Sequence, residues 1–195
     1  MSSDSAFHHL FEFFDQIHPL NSDAKNAIES ICSLVTIPKN QDLQPIGATC
    51  KTIYFVKKGL ARIYYYKDGI DITEYFAFEN DLIIRAESLF TGKPSQKAIQ
   101  AVEQTEFVGI SSDLLFGLFD TFPDLERLFR KITELAYVNT LNRIESIQFH
   151  PAEERYQKLL EEKPEFIQRI PLKHIASYLG ITQVSLSRIR GQKNG

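Results

Sequence analysis

The chain has 195 residues and a mass of 22.4 kDa, enough for one domain or two small ones. Hydrophobic residues at 43% and charged residues at 24% fit a globular chain and exclude a disordered one. No apolar run reaches the ~18 residues of a membrane-spanning helix, no signal-peptide layout opens the chain, and two cysteines, Cys32 and Cys50, are too few for a disulfide scaffold or a four-cysteine metal site. A cytoplasmic protein is expected. The net charge of −3 hides an asymmetry. Residues 168–195 contain no acid, and Arg169, Lys173, Arg188, Arg190 and Lys193 give them +5, against 25 acids and 17 bases in the rest. The two parts are expected to meet different partners, unless the basic end is simply a solvated tail.

In chain order, Phe7 to Leu34 places apolar residues at helical spacing, with Ser22 as a candidate cap. The character then turns to short strands at Thr52–Lys57, Leu60–Lys67 and Ile70–Phe78, punctuated by Lys58-Gly59 and Asp68-Gly69. Asp-Gly between two such runs predicts a hairpin, because both central positions of that turn require positive φ. With further runs at Ile99–Val102 and Glu106–Ile110, six to eight strands predict a small antiparallel barrel or jelly roll. From Asp124 to Phe149 apolar residues recur every three or four positions, with no Gly or Pro in 26 residues. Such a helix is longer than one barrel can cover, so it predicts either a symmetric dimer or packing along the barrel's flank. Pro151 ends it, a shorter helix follows at Ala152–Glu162, and a hinge is expected at His150-Pro151.

The sharpest motif runs from Leu172 to Arg190. Leu172, Ile175, Ala176 and Leu179 make one helix face; Gly180 suits a left-handed helix end, and Thr182 a cap for a second helix. Leu186 and Ile189 would pack that second helix on the first. This is helix-turn-helix spacing, the alternative being a helical hairpin that only packs. With Leu186 and Ile189 inward, Val184, Ser187 and Arg188 lie opposite and Gln183, Ser185 and Arg190 on the flanks. An acid-free face of this kind suits a DNA major groove. Arg188 would read a guanine and Val184 a thymine methyl, while Ser185, Arg190 and Lys193 would hold phosphates.

On this motif, the strand–Lys58-Gly59–strand pattern of Ile53–Tyr65, Phe78-Glu-Asn-Asp-Leu82 and the long helix, the chain resembles the cyclic-AMP receptor protein (Crp/Fnr) family of bacterial transcription regulators. The resemblance implies an α+β fold with three parts. They are a cyclic-nucleotide-binding-like β-roll (1–122), also cupin-like, a dimerisation helix (123–150) and a winged helix-turn-helix (151–195). It further implies a homodimer on double-stranded DNA, contact with RNA polymerase and a small-molecule effector, with no membrane partner and no cofactor. The family's nucleotide-binding members open their phosphate cassette with Gly-Glu and close it with an arginine. Here Asn80-Asp81 and Ser95 fall at those positions, so Asp81, Ser95, Gln96 and Lys97 mark an effector pocket not expected to hold cyclic AMP. Arg85 lies in another segment. The family's redox branch uses four cysteines, and the five histidines, expected at the surface, suggest no haem or other metal ligation. Val184 stands where many relatives carry a base-reading glutamate. An enzyme is not expected, since cupin chemistry needs barrel histidines and none occurs between His18 and His150. The alternative function is a sensor or interaction protein with a decayed DNA-binding module.

Overall fold

The computed structural model describes residues 6–162, 164 and 166–191. Two helices, α1 (His8–Ile17) and α2 (Ser22–Ser30), precede eight strands: β1 (Cys32–Ile37), β2 (Asp42–Gln44), β3 (Thr52–Lys58), β4 (Ala61–Lys67), β5 (Ile70–Ala77), β6 (Leu82–Ile83), β7 (Ala98–Ala101) and β8 (Thr105–Ser111). A short helix, α3 (Ala86–Thr91), lies between β6 and β7. After β8 come α4 (Ser112–Leu118), the long α5 (Pro123–Phe149), α6 (Ala152–Glu162), α7 (Phe166–Arg169), α8 (Leu172–Tyr178) and α9 (Gln183–Gly191). The strands form two antiparallel four-stranded sheets, ordered β1-β8-β3-β6 and β2-β7-β4-β5. This is the expected roll. Among the described residues no strand follows β8, so the helix pair is seen without the wing that was expected.

Two local expectations are corrected. Residues 32–34 do not continue the N-terminal helices, because Cys32 to Ile37 pair along β8 and gain a full ladder there. The cap of α2 is Asn21, whose side-chain oxygen accepts from Ala24 N at 2.9 Å, and Ser22 is the first helical residue.

Two apolar cores fill the roll. Val56, Ala61, Ile63, Ala77, Ile83, Ile99 and Phe107 pack between the sheets. The outer face of β3 and β8 meets α1, α2 and the first turns of α5 through Phe14, Phe55, Ile110, Leu125 and Leu128. The long helix is thus anchored only at its start. Beyond Ile132 its stripe is open, with Leu135, Val138, Leu141, Ile144 and Ile147 all between 41% and 53% exposed. Among the described residues no helix is long and apolar enough to cross a membrane.

Both glycine turns form as the sequence predicts. Asp68 and Gly69 take φ of +53° and +77°, the type I′ signature. Gly59, at φ +102°, has a second constraint: a Cβ there would stand 2.8 Å from the Gln104 carbonyl oxygen. Gly59→Ala is therefore expected to cost more than the ~1–3 kcal/mol of backbone strain alone. Gly69→Ala, which meets nothing within 4 Å, would incur only that strain. Urea denaturation of the two variants checks this, and equal losses would show that the close approach is relieved without cost.

Candidate functional site

The helix-turn-helix builds as its spacing requires. Gly180 takes φ +71°, letting Ile181 N–H donate to Ala176 O and Gly180 N–H to Ser177 O, both at 3.0 Å, which closes α8 in a Schellman turn. Thr182 caps α9 by accepting from Ser185 N at 3.1 Å. Ile175, Ala176, Leu179 and Leu186 are buried between the helices. Gln183, Val184, Ser187, Arg188 and Arg190 are exposed, Val184 at 62%. Ser185 is half-buried and its hydroxyl contacts that of Thr182 at 2.9 Å, so it is partly occupied by the cap. Lys193 lies outside the described residues.

The module does not stand apart from the roll. Leu60, Phe76 and Val102 share one core with Tyr156, Leu159, Ile175 and Leu186. At its edge is Arg62 of β4, only 2% exposed. Its guanidinium donates to both Asp71 oxygens at 2.6 Å, to Thr73 Oγ1 at 2.9 Å and to Gln100 Oε1 at 2.8 and 3.0 Å. It also lies 4.4 Å from the centre of the Tyr64 ring. A last contact, Nη1 to His174 Nδ1 at 2.8 Å, joins the sheet to α8. A guanidinium can only donate, so Nδ1 must accept and the His174 ring is neutral. Burial, then the Arg62 charge, push its pKa down to about 4. Burial alone would raise the Asp71 carboxyl, but Arg62 outweighs it and holds it below the usual range. Beside this cluster Thr73 N donates to Ser177 Oγ of α8 at 3.1 Å.

Further arginines fix the module. Arg169 makes a two-pronged pair with Glu79, at 2.7 and 2.9 Å, and reaches Glu103. The orphan carbonyls at the end of α8 are capped from two helices: Arg143 of α5 donates to Tyr178 O at 2.7 Å and Arg155 of α6 to Leu179 O at 2.5 Å. So Arg169, part of the basic tail in sequence, is neutralised by the roll, while Lys173, Arg188 and Arg190 remain exposed.

The expected effector pocket divides. Ser95 is buried and Lys97 half-buried, and both join a cluster with Glu74 and Arg85. Arg85, set aside by segment, is buried and donates to Ser95 Oγ at 3.3 Å: the fold brings a guanidinium to that position from the start of α3. Asp81 instead holds a turn, accepting from Phe78 N at 2.9 Å, and Gln96 is exposed. The surface position expected of all histidines fails for His174, which is 6% exposed because the partner it needs lies on another element. Arg62 was the available signal, a cation inside the apolar run Leu60–Tyr66. Cys32 has its thiol pushed up to about 12 by burial and by Glu29, which leaves it protonated and unreactive. Among the described residues no group of three His, Cys, Asp or Glu could hold a metal ion.

No protein-family model and no curated protein matches the chain. Solved structures do. FixK2 from Bradyrhizobium japonicum is 18% identical, with a TM-score of 0.70 over 83% of this chain and 84% of its own. CLP of Xanthomonas campestris, a c-di-GMP-responsive global regulator, is 16% identical, with a TM-score of 0.71 over 89% of this chain and 92% of its own. A Crp/Fnr-family transcriptional regulator from Eubacterium rectale is 21% identical, with a TM-score of 0.68 over 87% of this chain and 82% of its own. The fold is that of the Crp/Fnr regulators. Within the Crp/Fnr fold, the Arg62 cluster is the contact between roll and helix-turn-helix that titrates. Unfolded, His174 has a pKa near 6.5; folded, it lies at about 4. The unfolded chain therefore binds the extra proton first, so this contribution is complete above ~6.5 and is lost as pH falls towards 4, at up to ~1.4 kcal/mol per pH unit. Urea denaturation between pH 7.5 and 4.5 checks it: His174→Gln is expected to flatten that slope, and an unchanged slope would place the titration elsewhere.

Proposed function

We propose that this chain is a DNA-binding transcription regulator and not an enzyme, acting as a homodimer under the control of its β-roll. The observation that carries this reading is the outer face of α9: exposed, acid-free, and set on a capped helix-turn-helix. Residues 1–122 would sense, 123–150 dimerise and 151–195 bind DNA. Arg188 would reach guanine O6 and N7 in the major groove, and Val184 a thymine methyl, with Gln183 and Ser187 beside them. Ser185, Arg190 and Lys193 would hold phosphates. Ser95 and Lys97 would belong to the effector site with Arg85, while Asp81 and Gln96 would lie at its margins. Contact with RNA polymerase follows from the regulator role.

The exposed stripe of α5 supports the dimer, since a row of half-exposed leucines and isoleucines is stabilised by a second copy. Sedimentation of wild-type protein at micromolar concentration should give a dimer and Leu135→Glu/Leu141→Glu a monomer; a monomeric wild type would remove this part of the reading.

Two α9 helices related by a dyad would enter successive major grooves ~34 Å apart, so the operator should be near-palindromic with half-sites about ten base pairs apart. Selection from random DNA followed by titration tests this. Arg188→Ala should cost ~1–3 kcal/mol on the selected site and relax one base pair per half-site. Lys193→Ala should weaken all sequences alike and lower the logarithmic salt slope by ~0.9 for each phosphate that the variant no longer neutralises. Equal losses on specific and random DNA for Arg188→Ala would make it a phosphate clamp. No binding to any duplex would leave a sensor that acts by engaging another protein.

A further inference from the structure

Thr73 and Glu74 are neighbours on β5 whose contacts run to different parts of the protein. Thr73 is held by α8 and Arg62: its N–H donates to Ser177 Oγ and its hydroxyl accepts from Arg62. Glu74 is the extra residue of a β-bulge, because Tyr64 pairs with Thr73 and Ile63 with Tyr75, leaving Glu74 without a partner on β4. A bulge re-aims its side chain. The Glu74 carboxylate meets two cations, Lys97 at hydrogen-bond contact and Arg85 at 3.6 Å.

The two guanidiniums at the ends of this relay are unequally served. Arg62 is saturated by two carboxylate oxygens, an amide, a hydroxyl and an imidazole. Arg85 is equally buried, yet among the described residues it makes one hydrogen bond, to Ser95 at 3.3 Å, and its carboxylate partner stands beyond hydrogen-bond distance. A buried guanidinium gains most from a bidentate oxyanion, which Glu74 does not supply. Glu74 and Lys97 are 36% and 31% exposed, so the cluster is open to solvent.

We propose that Glu74 is a tethered anion that competes with an oxyanion ligand, a phosphate or carboxylate, for Arg85 and Lys97, and that its release loosens the β5–α8 contact at Thr73. This rests on the reading of the roll as a sensor and names its ligand chemistry and its route to the DNA-binding module. With Glu74 in place the bulge is pinned from the roll's side while Thr73 is pinned from the helix side. An oxyanion bridging Arg85 and Lys97 displaces Glu74, frees the bulge and weakens the donation to Ser177.

Inorganic phosphate is the probe and the full chain the sample. Glu74→Gln keeps the side chain's shape and removes its charge, and calorimetry is expected to show phosphate bound about tenfold more tightly than by wild type. Adding Arg85→Gln should abolish that gain. Millimolar phosphate on wild type, and Glu74→Gln alone, should each speed hydrogen exchange at the Thr73 amide several-fold. No gain in phosphate affinity, a gain that survives Arg85→Gln, or Thr73 exchange indifferent to both perturbations would overturn the proposal. If Glu74→Gln does not fold, Thr73 exchange in wild type against phosphate makes the same decision. No DNA enters these measurements, so a failure to bind DNA would sink the regulator reading alone.

Discussion

The Arg62 guanidinium is 2% exposed, and a charge so buried is tolerated only while its partners are present; removing one partner from such a pair costs ~3–5 kcal/mol. Those partners come from four elements: Asp71 and Thr73 from β5, Gln100 from β7, Tyr64 from its own strand and His174 from α8. The charge can be satisfied only when the hairpin β4–β5 and the helix-turn-helix are in register with each other. Apolar contacts among Phe76, Tyr178 and Ile175 supply the area, but hydrophobic burial is not directional. The arginine supplies the register.

Other cations of the C-terminal part act in the same way. Arg169 is taken up by Glu79 and Glu103 of the roll, and Arg143 and Arg155 cap the carbonyls that end α8. Glu79 also accepts from Gly59 N at 2.8 Å, so one carboxylate ties the tightest turn of the roll to the segment before α8. These pairs leave the face of α9 as the place where positive charge meets solvent without a carboxylate beside it. That separation is what a DNA-reading surface requires, because a cation already paired releases no counterion on meeting a phosphate.

Strand β5 carries both halves of the signal path. One residue, Thr73, is engaged by the helices and the next, Glu74, by the basic pair inside the roll, and the bulge permits both engagements at once. A regular strand would keep strict alternation and tie both residues to the ladder of β4. Coupling here is a matter of one shared backbone segment with two sets of charged partners, and it needs no longer pathway through the core.

Local grammar was enough to place most of the fold. Asp68-Gly69 required positive φ twice and so fixed a hairpin; Gly180 and Thr182 ended and began the two helices; the apolar stripe from Leu125 to Ile147 fixed one long helix. The outward face of α9 followed from 100° per residue once Leu186 was inward, and its exposure is as that geometry requires. Each of these depends on neighbours within a few positions. What the sequence could not reveal depends on partners supplied by other elements: His174 is buried neutral because Arg62, 112 residues away, needs an acceptor there. Arg85 reaches Ser95 only because the chain folds back between α3 and β7, and Leu34 leaves the helical run because β8 is present to pair it. Which charges are buried, and which are free to meet DNA, was decided by packing, since the cost of an unpaired charge is set by the dielectric around it and not by its neighbours in sequence.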